Sequence, residues 1–172
     1  VEDKNMEHLT PRQFWGRFFR SFYNKNVTKI SVRSCDRFRV LHNPDFSNLT
    51  LFYKTSDFYK SEFDVFQILK KKAPIDITFV PIPILFALHE IGHTKTPEVH
   101  CDVDTIRRNK QYMKGLDNLI KTKQVVGAEM NEIYHTLPFE VAANEWAFNY
   151  IKNNREELNQ FITQFREVYI ER

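Results

Sequence analysis

Residues 89–93 read His89-Glu90-Ile91-Gly92-His93, a pattern whose two histidines can act together only on a helix. There, residues four apart project from one face, near enough for two imidazoles to hold one metal ion. Glu90 lies about 100° round such a helix from His89, where its carboxylate can reach a water at that ion and take its proton. The surrounding residues agree with this placement. With Ile84 as zero, Phe86, His89, Glu90 and His93 fall on one side, and Ile84, Ala87, Leu88 and Ile91 on the other. The chemistry is expected to face a cleft and the aliphatic residues a core. A helix with two incidental surface histidines would not require that separation.

The pattern around the motif predicts an α+β domain. Thr10-Pro11 has a capping hydroxyl followed by Pro at the first helical position, so a helix starts there and runs to about Tyr23. It carries Phe14, Trp15, Phe18, Phe19, Phe22 and Tyr23 on one broad face, with Arg12, Arg17 and Arg20 elsewhere. Such a helix packs on its own sheet with the arginines in solvent. Residues 27–33, 36–42 and 49–54 have the composition of strands, with Asn43-Pro44-Asp45 as a turn, and residues 57–71 read as a helix. Ile75–Val80 alternates apolar and polar residues and is expected to be a strand, ended by Pro81 and Pro83, which open the motif helix. An exposed edge on that strand would let a substrate peptide lie extended across the metal. Residues 97–136 contain one helix, about 105–124, and stand as an insertion or lid. From Asn154 to Arg172, Leu158, Phe161, Ile162, Phe165, Val168 and Tyr169 recur at helical spacing.

Composition sets outer bounds. A chain of 172 residues is expected to form one domain spanning 1–172. A net charge of +3 is too small to argue for nucleic acid, and no apolar run approaches a membrane span. The polar start, Val1 to Asn5, does not resemble a signal peptide, and Cys35 and Cys101 make no disulfide framework. Cytoplasmic location is the expectation.

A catalytic metal site takes three protein ligands and leaves one position open. Gly three and His six residues after His93 would extend the motif in a known way, but those positions hold Thr96 and Val99. His100, Asp102 and Asp104 are candidates in a polar stretch. A better one lies in Leu137–Ala147. With Glu140 as zero, Ala143, Asn144, Ala147 and Ile151 fall within about 60°. Small residues on that face let the helix pack closely on the motif helix and bring a short carboxylate to the metal. Asn144, one turn on, is placed to hydrogen-bond a ligating histidine and fix its orientation. Glu145, the rival, falls on the opposite, more polar side.

His89-Glu90-Ile91-Gly92-His93 followed by Glu140-x-x-Ala143-Asn144-x-Trp146-Ala147 resembles the gluzincin metallopeptidases, and more narrowly the ImmA/IrrE-type proteins. Trp146 stands where that pattern has Phe, and the stretch between the two motifs is long for it. The resemblance implies a small, mostly antiparallel sheet, the motif helix behind it, and a second helix supplying the glutamate. It also implies a zinc peptidase that cuts a protein substrate, a regulator or repressor, and that is encoded by a phage or mobile element. In that reading His89, His93 and Glu140 hold Zn²⁺, Glu90 is the general base, and Tyr134 or His135 stabilises the oxyanion, with His100 and Tyr112 as further candidates. The alternative is a non-enzymatic binding protein with a structural zinc site closed by Cys101 or His100. A nucleic-acid-binding module using Arg12, Arg17 and Arg20 is a third reading, which the modest charge disfavours.

Overall fold

The computed structural model describes residues 9–23, 29–34, 39–42, 48–53, 60–96, 103–122, 133 and 135–169. Contacts divide the chain into two compact units, residues 1–58 with 154–172, and residues 59–153. The fold is α+β and mostly helical. No helix among the described residues is long and apolar enough to cross a membrane.

The first unit begins with helix α1, Pro11–Ser21. Its start is a reciprocal cap. The Gln13 backbone N–H donates to Thr10 Oγ1 at 3.3 Å, and the Thr10 backbone N–H donates to Gln13 Oε1 at 2.8 Å. Phe14, Trp15, Phe18 and Phe19 are fully buried. They meet the last helix, here called α6 (Arg155–Tyr169), whose Leu158, Ile162, Phe165 and Val168 form its buried stripe. Phe18 stands edge-on to Phe161 at 4.9 Å, and Phe14 lies 5.8 Å from Phe165. Trp15 Nε1 donates to the Tyr169 hydroxyl at 2.8 Å, which satisfies the one polar atom of a buried indole.

Strands β1 (Lys29–Ser34), β2 (Arg39–His42) and β3 (Asn48–Tyr53) form a sheet in the order β1-β3-β2. β3 pairs antiparallel with β2, Val40 opposite Leu51, and parallel with β1, Val32 also opposite Leu51. The sheet is thus mixed, where a mostly antiparallel one was expected. β1 and β2 run in opposite directions and β3 inserts between them, so it must lie parallel to one of the two. Leu51, on the central strand, is buried.

The second unit holds α2 (Lys60–Lys72), α3 (Ile82–Lys95), α4 (Val103–Lys121) and α5 (Pro138–Asn153). Between α2 and α3 the expected strand 75–80 is absent; the segment is turn and irregular chain. Local hydrogen bonds explain this. Asp76 Oδ1 accepts from the Thr78 backbone N–H at 3.0 Å and its hydroxyl at 2.6 Å, and Lys70 Nζ donates to the Val80 carbonyl at 2.6 Å. Groups satisfied this way have no need of a ladder. The substrate-binding strand edge inferred from that segment goes with it. The motif helix α3 does open with prolines, Pro81 before it and Pro83 within its first turn. Ile84, Leu85, Ala87, Leu88 and Ile91 are fully buried, and α3 packs chiefly on α5.

Candidate metal centre

The close approach of α3 and α5 creates the site. Gly92 is the contact point: a β-carbon there would lie 2.5 Å from the Ala143 carbonyl oxygen. Ala143 and Ala147 are buried on the facing stripe of α5, as the small-residue pattern predicts. His89 lies one turn before Gly92 and His93 directly after it, and Glu140 and Asn144 flank Ala143 in the same way, so the two helices present their polar groups to each other.

Those groups form a tight cluster. His89 Nε2 is 3.1 Å from His93 Nε2 and 3.0 Å from Glu140 Oε2, and His93 Nε2 is 3.6 Å from Glu140 Oε1. Ligand atoms about 2.0–2.1 Å from a tetrahedral ion lie roughly 3.3–3.4 Å apart, so this donor set fits a small divalent metal. His89 and Glu140 are each 2 % exposed. His89 is therefore enclosed where a cleft-facing position was expected, while His93 and Glu90 keep a small part of their surface accessible.

Asn144 sets the orientation. Its Oδ1 accepts from His89 Nδ1 at 2.8 Å, which leaves the Nε2 lone pair directed at the carboxylate and at His93. A lone pair facing a carboxylate at that range is repulsive unless a cation, proton or metal, lies between them. The titration behaviour agrees. Burial pulls the His89 imidazole down, but the hydrogen bond and charge of Glu140 and the charge of Glu90 outweigh it, so His89 is held above its ordinary value. Burial pushes the Glu90 carboxyl up to about 7, opposed by His89 and aided by Glu140. Glu90 thus titrates near neutrality, where a proton carrier is most effective.

His135 joins this cluster: its Nδ1 lies 3.6 Å from Glu140 Oε2, and His89, His135 and Glu140 form a second set of grouped ligand atoms. Burial holds its imidazole below the ordinary value, against the pull of Glu140. Phe66 of α2 stands edge-on to both His89 and His135, at 5.4 and 5.7 Å, and Phe139 lies 5.8 Å from His93. The sequence carries no signal that singles out Phe66, because any buried α2 aromatic would read the same. Of the other candidates, Glu145 and Tyr112 are exposed, and Asp104 is exposed and paired with Arg107. Tyr134, His100, Cys101 and Asp102 lie outside the described residues.

Comparison with protein-family models, with curated proteins and with solved structures finds no match for this chain. The site is defined by its own residues.

Proposed function

We propose that the chain is a zinc-dependent peptidase of gluzincin type, acting on a peptide bond of a protein substrate, with regulators and repressors as the substrate class its resemblance suggests. The observation that carries this is the cluster of His89, His93 and Glu140 with Glu90 beside it. Zinc bound there would act as a Lewis acid that acidifies a water and polarises the scissile carbonyl. Glu90 accepts the water's proton on its carboxylate and passes a proton to the departing amine. Asn144 keeps His89 in the tautomer that presents Nε2. His135, neutral and close to Glu140, is placed to donate a hydrogen bond to the developing oxyanion.

Elemental analysis with Glu140→Ala and Glu90→Gln tests this. One zinc per chain is expected, weakened strongly in Glu140→Ala and retained in Glu90→Gln. Hydrolysis is expected to disappear in both. Full activity in Glu90→Gln would overturn the role of Glu90 as the base.

The position of His135 favours a second reading, a non-enzymatic protein whose zinc is held by four protein ligands, His89, His93, His135 and Glu140. Structural sites are closed in this way. His135→Ala separates the two. Loss of zinc together with unfolding indicates the closed structural site, and retained zinc with reduced turnover indicates the oxyanion role.

A further inference from the structure

Helix α1 divides its surface sharply. At about 100° per residue, Arg12, Gln13, Gly16, Arg17 and Arg20 share an arc of roughly 140°, and the buried aromatics occupy the opposite side. The basic arc faces solvent beside strand β1. Together with Ser31, Val32 and Arg33, it lines a cleft of about 570 Å³. Gly16 forms part of the floor, where a β-carbon would lie 3.8 Å from Val32 Cγ2. That is ordinary van der Waals contact, so helix and strand already pack closely there, and the arginines line the recess beside them.

Four arginines therefore line one recess, and among the described residues no carboxylate does. Among the described residues, none of Arg12, Arg17, Arg20 and Arg33 forms an ion pair. Surface arginines ordinarily disperse or find acidic neighbours, and four unneutralised ones in a concavity concentrate a positive field. The choice of arginine is informative. Its planar fork grips a phosphoryl group through two parallel hydrogen bonds and stays charged at every relevant pH. Ser31 adds a neutral hydroxyl at the same wall.

The size and lining of the recess narrow the ligand. Its volume is that of a small-molecule site. A single-stranded nucleic acid would stack its bases on exposed aromatic rings, but Phe14, Trp15, Phe18 and Phe19 are fully buried. A lipid surface would need an outward apolar face on α1, and that face is already packed on α6. We propose that this cleft binds a small oligophosphate, an anion with two or more linked phosphoryl groups such as the phosphate tail of a nucleotide. This site belongs to the first unit and does not depend on the metal centre.

Calorimetric titration of the full chain with inorganic triphosphate and with ATP, at low salt, tests the proposal. One saturable site per chain is expected for both. Equal affinity would assign recognition to the phosphates alone, and tighter ATP binding would add a contact to the nucleoside. Arg17→Gln with Arg20→Gln should weaken either ligand by at least about tenfold, since each removes a charge-assisted hydrogen bond. Arg17→Lys with Arg20→Lys should recover only part of the loss. Arg166→Gln, on exposed α6 surface, should change nothing. Arg12→Gln with Arg33→Gln gives an independent pair if the first variant folds poorly. Absence of binding would overturn the proposal. So would binding that survives both pairs, or an equal loss in Arg166→Gln. A 20-nucleotide single strand binding more than about tenfold tighter than triphosphate would assign the surface to nucleic acid and overturn it too.

Discussion

Gly92 and Ala143 meet backbone to backbone. A β-carbon on Gly92 would stand 2.5 Å from the Ala143 carbonyl oxygen and 2.9 Å from its Cα. The contact falls one residue before His93 and three after Glu140, so the spacing of the candidate ligand atoms depends on it.

Gly92→Ala should therefore push α3 and α5 apart. Overpacking of this kind costs roughly 1–3 kcal/mol, and about 1.4 kcal/mol at the site is enough for a tenfold loss of affinity. Zinc binding measured against a competing chelator should weaken at least about tenfold, with a lower thermal midpoint. Adding Ala143→Gly should not rescue it, because the clash is with backbone atoms. Rescue by that second change would show that the side chain sets the distance.

Asn144→Ala should leave the helices in place and reduce zinc affinity by about 10–100-fold, the usual effect of removing a group that orients a ligating histidine. Asn144→Asp keeps an acceptor opposite His89 Nδ1 and should retain most of the affinity. Asn144→Leu, of similar size but with no acceptor, should lose as much as Asn144→Ala; affinity retained in Asn144→Leu would argue that Asn144 acts by packing alone.

The metal-free protein should lose stability as pH rises through neutrality. Glu90 has a folded value of about 7, above its ordinary carboxyl range. The folded state thus holds this proton more tightly than the unfolded chain. The resulting stabilisation is complete below the ordinary Glu value and is lost as pH climbs through about 7. His89, also raised, acts in the same direction. Chelated protein should melt higher at pH 5 than at pH 8 relative to chelated Glu90→Gln, in which this titration is removed. Parallel curves for the two proteins would rule out a shifted Glu90.

The hydrogen bond from Trp15 to Tyr169 should appear as coupling between the first and last helices of its unit. Trp15→Phe and Tyr169→Phe each remove it, at about 0.5–1.5 kcal/mol. In denaturant melts the double variant should cost less than the sum of the singles by a similar amount. Strict additivity would mean that the bond contributes nothing in solution.

Helical periodicity made much of this legible before any coordinates. The spacing of His89 and His93, the small-residue face around Glu140 and the place of Asn144 on it all follow from 3.6 residues per turn. So does the aromatic face of α1, whose Thr10-Pro11 start is as the residues indicate. Period-two alternation misled at Ile75–Val80, because it cannot register that Asp76 and Lys70 bind the backbone there locally. Strand order escaped for a related reason: the pattern marks strands but not neighbours, so nothing near Val32 or Val40 announces that Leu51 lies between them. His135 and Phe66 join the cluster from elements with no periodic relation to the motif. Their proximity is a product of tertiary packing.

The bond between Trp15 and Tyr169 also has a meaning in time. A nascent chain emerges from its N-terminus, and the second unit, residues 59–153, is continuous in sequence. His89, His93, Glu140 and Asn144 all lie within that unit, so their pairings need no residue of α6. The aromatic layer of α1, made first, must wait for Phe161, Phe165 and Tyr169, made last. A chain ending at residue 153 would thus carry all the candidate metal-binding residues and a helix α1 still lacking its partner.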